Sequence, residues 1–226
     1  MKTIGMVVAM QKEIVPFLES QKVEVENVDR KDFSVIKFRV GNNNIICVRS
    51  GIGEIYASAA TQTLIGEYKA DLVINFGVCG SLSREIKTGE VVLVKGVVHY
   101  DFDLTPIANV RLGQYPGYSS EVISTDEELR KKVKEIMPGV KEVICASADK
   151  FVADEKIKER LLRSFGAEIC EMESAGVALT CYNAGVPVLI VKAVSDGEGG
   201  AEEYKKTVNT SAKAYIGLIN KLSEKL

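Results

Sequence analysis

Tryptophan is absent from this chain, and histidine and cysteine are too few and too scattered to build a metal site. The only histidine is His99, and none of the five cysteines stands in a CxxC pair. Structural zinc needs clustered Cys or His ligands, so we predict no metal, and no sequence motif indicates a cofactor. The odd number of cysteines, most of them in apolar surroundings, favours buried free thiols in a reducing compartment.

The chain also lacks an excess of positive charge and any long apolar run. It has 29 basic and 31 acidic residues, a net charge of -2 and no basic stretch. A nucleic-acid partner requires a basic footprint, so none is expected. The apolar run at residues 4–10 is too short for a signal peptide, and no run could span a bilayer. We therefore expect no membrane association and a cytoplasmic location.

The 226 residues alternate between apolar runs and amphipathic segments, without internal repeats. Continuous apolar runs predict strands that are covered on both faces, at residues 4–9, 72–78, 91–98, 143–146 and 188–194. Residues 33–40 and 45–48, joined by a turn at 41–44, predict a hairpin. The pattern predicts an α/β fold, a single domain over residues 1–226 with a mixed, largely parallel central sheet flanked by helices.

Helices are predicted between these strands and at the end of the chain, at residues 55–68, 127–137, 155–165, 171–184 and 202–222. The last one carries a single apolar stripe of Val208, Ala212, Tyr215, Ile219 and Leu222. Residues 100–120, with two prolines and several glycine and asparagine breaks, predict an ordered loop that could reach a partner subunit.

Functional groups follow several of the predicted strands. Ligands of open α/β sheets bind at the carboxyl ends of strands, and this fold would bring Glu13, Phe151, Glu173 and Asp196 to one crevice. Any one of these acids alone is typical of a solvated loop or a helix cap. Their convergence is what indicates a catalytic site, because ionised carboxylates are costly near an apolar core unless they are used.

Two of the acids, Glu171 and Glu173, lie in the helix predicted at 171–184. Residues two apart on a helix point in different directions, so if both are helical they cannot face one pocket. One of them is then expected to cap the helix or form a structural pair while the other meets a ligand. The stripe expected to pack against the sheet is Met172, Ala175, Leu179 and Tyr182, which favours a core position for Met172.

Other catalytic motifs are weak or missing. The Gly51-Ile52-Gly53 turn is only the start of a dinucleotide fingerprint, and there is no GxxxxGK[ST] phosphate loop. A Ser-His-Asp mechanism would have to use His99 without a GxSxG elbow. Cys79 is a candidate nucleophile, but a buried thiol is the favoured interpretation.

At these residues the chain resembles the 5′-methylthioadenosine/S-adenosylhomocysteine nucleosidases, within the wider nucleoside phosphorylase-like family. The most specific matches are residues 171–175 (EMESA) and 193–196 (AVSD). The residues of the opening segment 9–13 (AMQKE), of the turn 50–53 (SGIG) and of the strand end 75–80 (NFGVCG) also match. The resemblance implies a homodimeric hydrolase that releases adenine from a small nucleoside and needs no cofactor.

The resemblance also implies roles for individual residues. Glu13 would activate water, and Asp196 would be protonated and donate to adenine N7. Glu173 would bind the ribose hydroxyls, with Met172 against the sugar. Phe151 would stack on the purine, and the backbone of Val152 would read its edge. Gly80 would allow close approach of the backbone, and Met10, Ile52 and Ser195 complete the implied substrate contacts.

Some positions depart from the family pattern. Val78 and Ser81 stand where many members carry a hydroxyl residue and a glycine, and Phe76 is bulkier than usual. Lys192 replaces a typical arginine, a change expected to loosen the positioning of Asp196. Three alternatives therefore stay open: a phosphate-dependent purine nucleoside phosphorylase, a hydrolase of another modified nucleoside such as futalosine, and a nucleoside-binding module without turnover.

Overall fold

The computed structural model describes residues 1–21, 23–28 and 30–226. The strands in these ranges are β1 (Thr3–Val8), β2 (Glu26–Val28), β3 (Ser34–Val40), β4 (Asn43–Arg49), β5 (Leu72–Ser81), β6 (Val91–His99), β7 (Val122–Ser124), β8 (Lys141–Ser147), β9 (Ile169–Glu171) and β10 (Val188–Asp196). The helices are α1 (Gln11–Gln21), α2 (Glu54–Gly66), α3 (Glu127–Ile136), α4 (Glu155–Phe165), α5 (Ser174–Ala184), α6 (Gly200–Ala214) and α7 (Ile216–Lys225).

The strands form one mixed sheet, in the order β10-β6-β8-β9-β5-β1-β4-β3-β2, with β7 paired to β6. An additional pairing of β10 with β5 closes one end of the sheet into a ring. The strands β4, β1, β5 and β10 run parallel to their neighbours in this series, whereas β6 and β9 join the ring through antiparallel pairs. The predicted mixed α/β sheet is confirmed. The closed ring was not predicted, because strand order depends on contacts between distant segments.

Two apolar layers cover the sheet. One contains α2 and α5 residues such as Ala57, Leu64 and Ala178, and the other contains α1, α3 and α7 residues such as Phe17 and Leu222. Every residue of β10 is buried, as expected of a strand covered on both faces. The sheet is therefore held rigidly between helices at the strands whose ends carry the acids.

Several elements differ from the predictions. The helix predicted at 202–222 is broken at Tyr215 into α6 and α7, although the whole predicted stripe is buried. Helix α1 was missed because it contains Pro16 and has a weak apolar face. The short strands β2, β7 and β9 were missed because three residues carry too little periodicity to be recognised. The helix predicted from residue 171 begins at Ser174.

The hairpin and the long loop agree with the predictions. Strands β3 and β4 are antiparallel and joined at residues 41–42, where Gly41 has a φ of 57°. Residues 100–120 contain no helix or strand, and the rings of Phe102 and Tyr115 stack with their centroids 3.9 Å apart. Within the described part of the chain, no helix has the length and apolar character needed to cross a membrane.

Candidate active site

A cavity of about 350 Å³ lies where several strand ends meet. Every residue that the sequence assigned to the site lines it: Met10, Glu13, Ile52, Gly80, Phe151, Val152, Met172, Glu173, Ser195 and Asp196. The lining also includes Val78, Cys79, Lys150, Cys170, Glu171 and Tyr204. Tyr204 comes from α6, and nothing in its local sequence pattern indicated a place in the site. The size suits a small organic ligand.

Glu13 is held in the first turn of α1, almost wholly buried at 2% exposure. Its Oε1 accepts a hydrogen bond from the backbone N–H of Val78 (2.9 Å), and its Oε2 accepts one from Met10 (2.8 Å). Burial raises the pKa of Glu13, although the Val78 N–H and the charge of Lys192 oppose this shift. A Cβ at Gly77 would lie 2.7 Å from Oε1, so a larger residue there would displace the Glu13 carboxyl from this position.

Asp196 is the last residue of β10 and is 2% exposed. The Ser195 hydroxyl lies 2.8 Å from its Oδ1. A Cβ at Gly80 would lie 3.1 Å from its Oδ2, so the glycine keeps this side of the carboxyl open. Burial raises the pKa of Asp196 to about 6, against the opposing effects of Ser195 and Lys158. The carboxyl is therefore poised to exchange a proton near neutral pH.

Strand β5 fixes the spacing of these two carboxyl groups. Glu13 accepts from the backbone of Val78, and Asp196 lies opposite Gly80 in the register of β5 and β10. Residues two apart on a strand are about 7 Å apart along it. The two acids thus lie beside nearby residues of β5, and both line the cavity.

Glu173 is the N-cap residue of α5 rather than part of the helix. Its Oε1 accepts a hydrogen bond from the backbone N–H of Gly53 (3.0 Å). Burial and the nearby Glu171 carboxylate raise the pKa of Glu173 to about 8. Because residues 171–173 are not helical, the condition under which only one of Glu171 and Glu173 could face the pocket does not hold, and both line the cavity. Glu171 also caps α5 and pairs with Lys192, the structural role expected of one of these two acids.

The expected packing stripe on α5 was wrong in part. Met172 lies in the cavity wall and not in the core, and Tyr182 is 58% exposed. The core side of the helix is formed instead by Ala175, Ala178 and Cys181. Met172 precedes Ser174 and so lies outside the helical period, which removes it from the face that it was expected to share.

Lys192 does not pair with Asp196, as the resemblance had suggested for this position. Its Nζ lies 2.9 Å from Oε2 of Glu171, and both side chains are buried, with exposures of 2% and 4%. Burial alone would lower the pKa of Lys192, but Glu171 and Glu173 raise it. Glu171 stays ionised because Lys192 and the Ser147 hydroxyl keep its pKa low despite its burial. Lys192 thus places a positive charge beneath the carboxylates of the site.

Aromatic side chains form the mouth of the cavity. Phe151 is 43% exposed, and its ring meets that of Tyr204 edge-on at 5.5 Å. Lys12 lies over the other ring of this pair, with Nζ 4.8 Å from the centroid of Tyr204. Ile52 is also half exposed at this mouth. A flat, apolar ligand group would find stacking surface here.

The structure favours the sequence-based rejection of other nucleophiles. All five cysteines are buried, and burial raises the pKa of the Cys79 thiol well above its ordinary value. His99 lies outside the cavity, with Nδ1 2.7 Å from the Tyr115 hydroxyl and Nε2 3.0 Å from Asp101. Phe76, singled out for its bulk, packs in the core against Phe17 and Tyr215. Carboxyl groups are left as the reactive groups of the cavity.

A family model of the phosphorylase superfamily matches residues 3–224. The aminodeoxyfutalosine nucleosidase of Campylobacter jejuni is 30% identical over 100% of this chain and 100% of that protein. The 5′-methylthioadenosine/S-adenosylhomocysteine nucleosidase of Exiguobacterium is 29% identical over 98% of this chain and 99% of that protein.

Solved structures point the same way. The crystal structure of 5′-methylthioadenosine/S-adenosylhomocysteine nucleosidase from Helicobacter pylori with butyl-thio-DADMe-Immucillin-A superposes with a TM-score of 0.95 and 30% identity, covering 100% of this chain and 99% of that chain. The native futalosine hydrolase of the same organism superposes with a TM-score of 0.93 and 30% identity, covering 100% and 98%.

Proposed function

Because the chain belongs to the phosphorylase superfamily, we propose that it hydrolyses the N-glycosidic bond of 5′-methylthioadenosine or S-adenosylhomocysteine and releases adenine. The comparisons support this function, which the sequence also predicts. Residues 1–226 would act as one domain. One observation carries the proposal. The buried carboxyl groups of Glu13 and Asp196 line the same cavity, one bonded to Val78 of β5 and the other beside Gly80 of β5.

The reaction needs help at both sides of the bond that breaks. Cleavage leaves positive charge on the sugar and negative charge on the departing purine. Glu13 takes a proton from water as the water oxygen bonds to C1′ of the sugar. Asp196 gives its proton to N7 of the purine as the C1′–N9 bond breaks. The products are neutral adenine and the free thiosugar. The raised pKa of Asp196 suits an acid, and its open Oδ2 beside Gly80 suits donation to a ligand.

The remaining lining residues would position the substrate. Glu173, which accepts a hydrogen bond from the Gly53 backbone, would bind the ribose hydroxyls, and Met172 would lie against the sugar ring. Phe151 would stack on the purine at the mouth, where the Val152 backbone would read its edge. Met10, Ile52 and Ser195 would complete the contacts.

Water is favoured over phosphate as the nucleophile by the charge of the cavity. Its lining includes Glu13, Glu171, Glu173 and Asp196, and among the described residues its only cationic side chain is that of Lys150. The two arginines at or just beyond the ends of nearby strands, Arg49 of β4 and Arg84 after β5, contact other side chains. Arg49 donates to Gln11, and the exposed Arg84 pairs with Glu198. A phosphate dianion would be repelled by Glu13, which must be ionised to act as the base, and the cation nearest in this network, Lys192, is already paired with Glu171.

A futalosine-type nucleoside is the second candidate substrate. Relatives named aminodeoxyfutalosine nucleosidase are as similar to the chain as those named for the methylthioadenosine reaction. Both reactions break the same kind of bond, so the two acids do not distinguish them. The residues around the 5′ substituent would decide between them, and the half-exposed Ile52 is the lining residue that we propose for that side.

We further propose a cytoplasmic homodimer that works in methionine salvage. Exposed apolar side chains include Ile52, which lines the cavity, Ile55 and Tyr56 in the first turn of α2, Ile107 in the loop at 100–120, and Tyr182 on α5. Burial of such side chains would stabilise a subunit contact. The loop at residues 100–120 would reach the 5′ pocket of the neighbouring subunit. Sedimentation analysis, with Ile55→Glu as the disrupting variant, tests this assembly.

The decisive assay is a substrate panel. Methylthioadenosine, adenosylhomocysteine, 5′-deoxyadenosine and aminodeoxyfutalosine are incubated with the protein, with and without phosphate, and free adenine is followed by chromatography. We expect adenine release without phosphate. Strict dependence on phosphate would overturn the hydrolase proposal in favour of a phosphorylase. Ligand binding without release would instead indicate a binding module.

A further inference from the structure

Glu54 is a buried acid that the proposed reaction does not use. It is the first residue of α2 and is 7% exposed. It lines a second hollow, which is also lined by His99. Its Oε1 lies in hydrogen-bond contact with the Ser147 hydroxyl, and its Oε2 accepts from the backbone N–H of Gly176. Ser147 has no exposed surface.

Three residues from different elements cap the first turn of α5. The N–H of Ser174 donates to Glu171 (3.0 Å), that of Ala175 to the Ser147 hydroxyl (3.1 Å), and that of Gly176 to Glu54. Free N–H groups of a first helical turn need such partners when they are buried. The residue that this cap positions is Glu173, the N-cap of α5 and the proposed ribose ligand.

The proton count at Ser147 fixes the state of the two acids. The hydroxyl oxygen accepts from Ala175, and it lies 2.6 Å from Oε1 of Glu171 and in contact with Oε1 of Glu54. A serine hydroxyl carries one proton, so it donates to only one carboxyl oxygen. The other carboxyl must bring its own proton to make the second hydrogen bond.

Glu171 is the acid that stays ionised. Its oxygens accept from Lys192 (2.9 Å) and from the backbone N–H groups of Glu173 and Ser174. Glu54 has no cationic partner among the described residues, and it meets only Ser147 and Gly176. The proton therefore resides on Glu54, which donates to Ser147, while Ser147 donates to Glu171.

We propose that Glu54 is a positioning residue, held as a neutral acid in a Glu54–Ser147–Glu171–Lys192 chain that fixes Glu173 for substrate binding. The last link to substrate rests on the proposed function, whereas the protonated state does not. Raising the pH removes this proton, and Glu54 and Glu171 are then both carboxylates with only the one Ser147 hydroxyl proton to share. The cap of α5 then weakens, and Glu173 loses its fixed position.

The surroundings agree with a neutral Glu54. Burial and then the charge of Glu171 raise the pKa of Glu54 to about 7. The other titratable groups near it are Asp149, which accepts from the Glu54 backbone, the phenols of Tyr100 and Tyr115, and His99 in the adjoining hollow. Lys192, the cation of this hydrogen-bonded network, is already paired with Glu171.

The first test is Glu54→Gln, because an amide reproduces both hydrogen bonds of the neutral acid and cannot ionise. Thermal midpoints of wild type and variant are compared from about pH 5 to about pH 8. A folded-state pKa above the ordinary value means that the stabilisation is full at low pH and is lost as pH rises toward about 7. The wild type is therefore expected to lose stability relative to Glu54→Gln over this range. Glu135→Gln, at an exposed position of α3, is the matched control.

The second test separates positioning from general structure. Glu54→Gln is expected to keep KM within about twofold of wild type at pH 6, whereas Glu54→Ala, which leaves the Gly176 N–H and Ser147 without a partner, raises KM more than it lowers kcat. Above pH 7 the KM of wild type rises, by at most about tenfold per pH unit for one proton, and that of Glu54→Gln does not.

The outcomes are distinguishable. A stability difference that is independent of pH, or a Glu54→Gln protein that fails to fold, would overturn the neutral-acid assignment. A correct stability result with an unchanged KM profile would overturn the positioning role alone. If no nucleoside is cleaved, the proposed function fails while the thermal comparison still decides the state of Glu54.

Discussion

Replacing Lys192 by methionine tests how much the site depends on one buried charge. The lysine and Glu171 form an ion pair at 2.9 Å with almost no exposed surface. Methionine fills a similar volume but carries no charge. The substitution leaves the Glu171 carboxylate buried, with hydrogen bonds but without its cation.

The expected loss of stability is large. Removing one partner of a buried pair costs about 3–5 kcal/mol, because the remaining charge is not compensated. For a protein of 226 residues, each kcal/mol lowers the melting temperature by about 2–4 °C. Lys192→Met is therefore expected to melt about 6–20 °C below wild type.

Denaturant and thermal unfolding measure this loss, with Lys205→Met as the matched control. Lys205 forms a closer pair with Glu202, at 2.6 Å, but its side chain is 67% exposed. Exposed ion pairs contribute about 0–1 kcal/mol to stability, so Lys205→Met is expected to change the free energy of unfolding little. Adding Glu171→Gln to Lys192→Met removes the charge that is left without a partner. In a double-mutant cycle the effects of the two substitutions on unfolding free energy are expected to differ from additivity by about 0.5–3 kcal/mol.

The same substitution also changes the pH dependence of activity. The charge of Lys192 lowers the pKa of both Glu13 and Glu173. Without it, Glu13 holds its proton to higher pH, and the acidic limb of the kcat/KM profile moves upward. A variant that loses less than about 1 kcal/mol, no more than the exposed control, and keeps the wild-type profile would refute this reasoning.

Other predictions concern the acids and one glycine. Asp196→Asn and Glu13→Gln are each expected to lower kcat for adenine release by about 10²–10⁴ while circular dichroism shows an intact fold; near-normal turnover would contradict the assigned roles. Because Asp196 must be protonated to act, kcat/KM should fall as pH rises through its pKa of about 6, and a profile without this limb would argue against it. Gly53→Ala should destabilise the protein by about 1–3 kcal/mol in denaturant titrations, since Gly53 has a φ of 110° and its Cβ would lie 2.7 Å from Asp149. Gly139→Ala, with a φ of 87° and open space around it, separates backbone strain from this clash, and equal losses would rule the clash out.

Most elements could be predicted from local sequence because their periodicity is a property of neighbouring residues. Strand β10 is apolar throughout and ends at Asp196, so both the strand and the position of its acid were predicted. Helix α4 was predicted with its observed bounds, since Asp154 caps its start and Gly166 ends it in a left-handed conformation. The short strand β9 offered no such signal.

Site residues were predicted from the ends of strands, and the errors arose where one helix began. Taking α5 to start at residue 171 rather than at Ser174 turned Met172 toward the core and separated Glu171 from Glu173. The true start depends on Ser147 and Glu54, which accept hydrogen bonds from the backbone N–H groups of Ala175 and Gly176, 28 and 122 residues away along the chain. No local pattern carries that information.

The amino-acid sequence by itself determined the apolar strands, most of the helices and the chemical groups that stand at the strand ends. Tertiary structure alone decided that β10 closes a ring with β5, that Lys192 pairs with Glu171 and not with Asp196, and that Glu54 shares a hydroxyl with Glu171. The physical reason is range. Periodicity and capping act within a few residues, whereas strand order, ion pairing and burial depend on which distant segments share the same space.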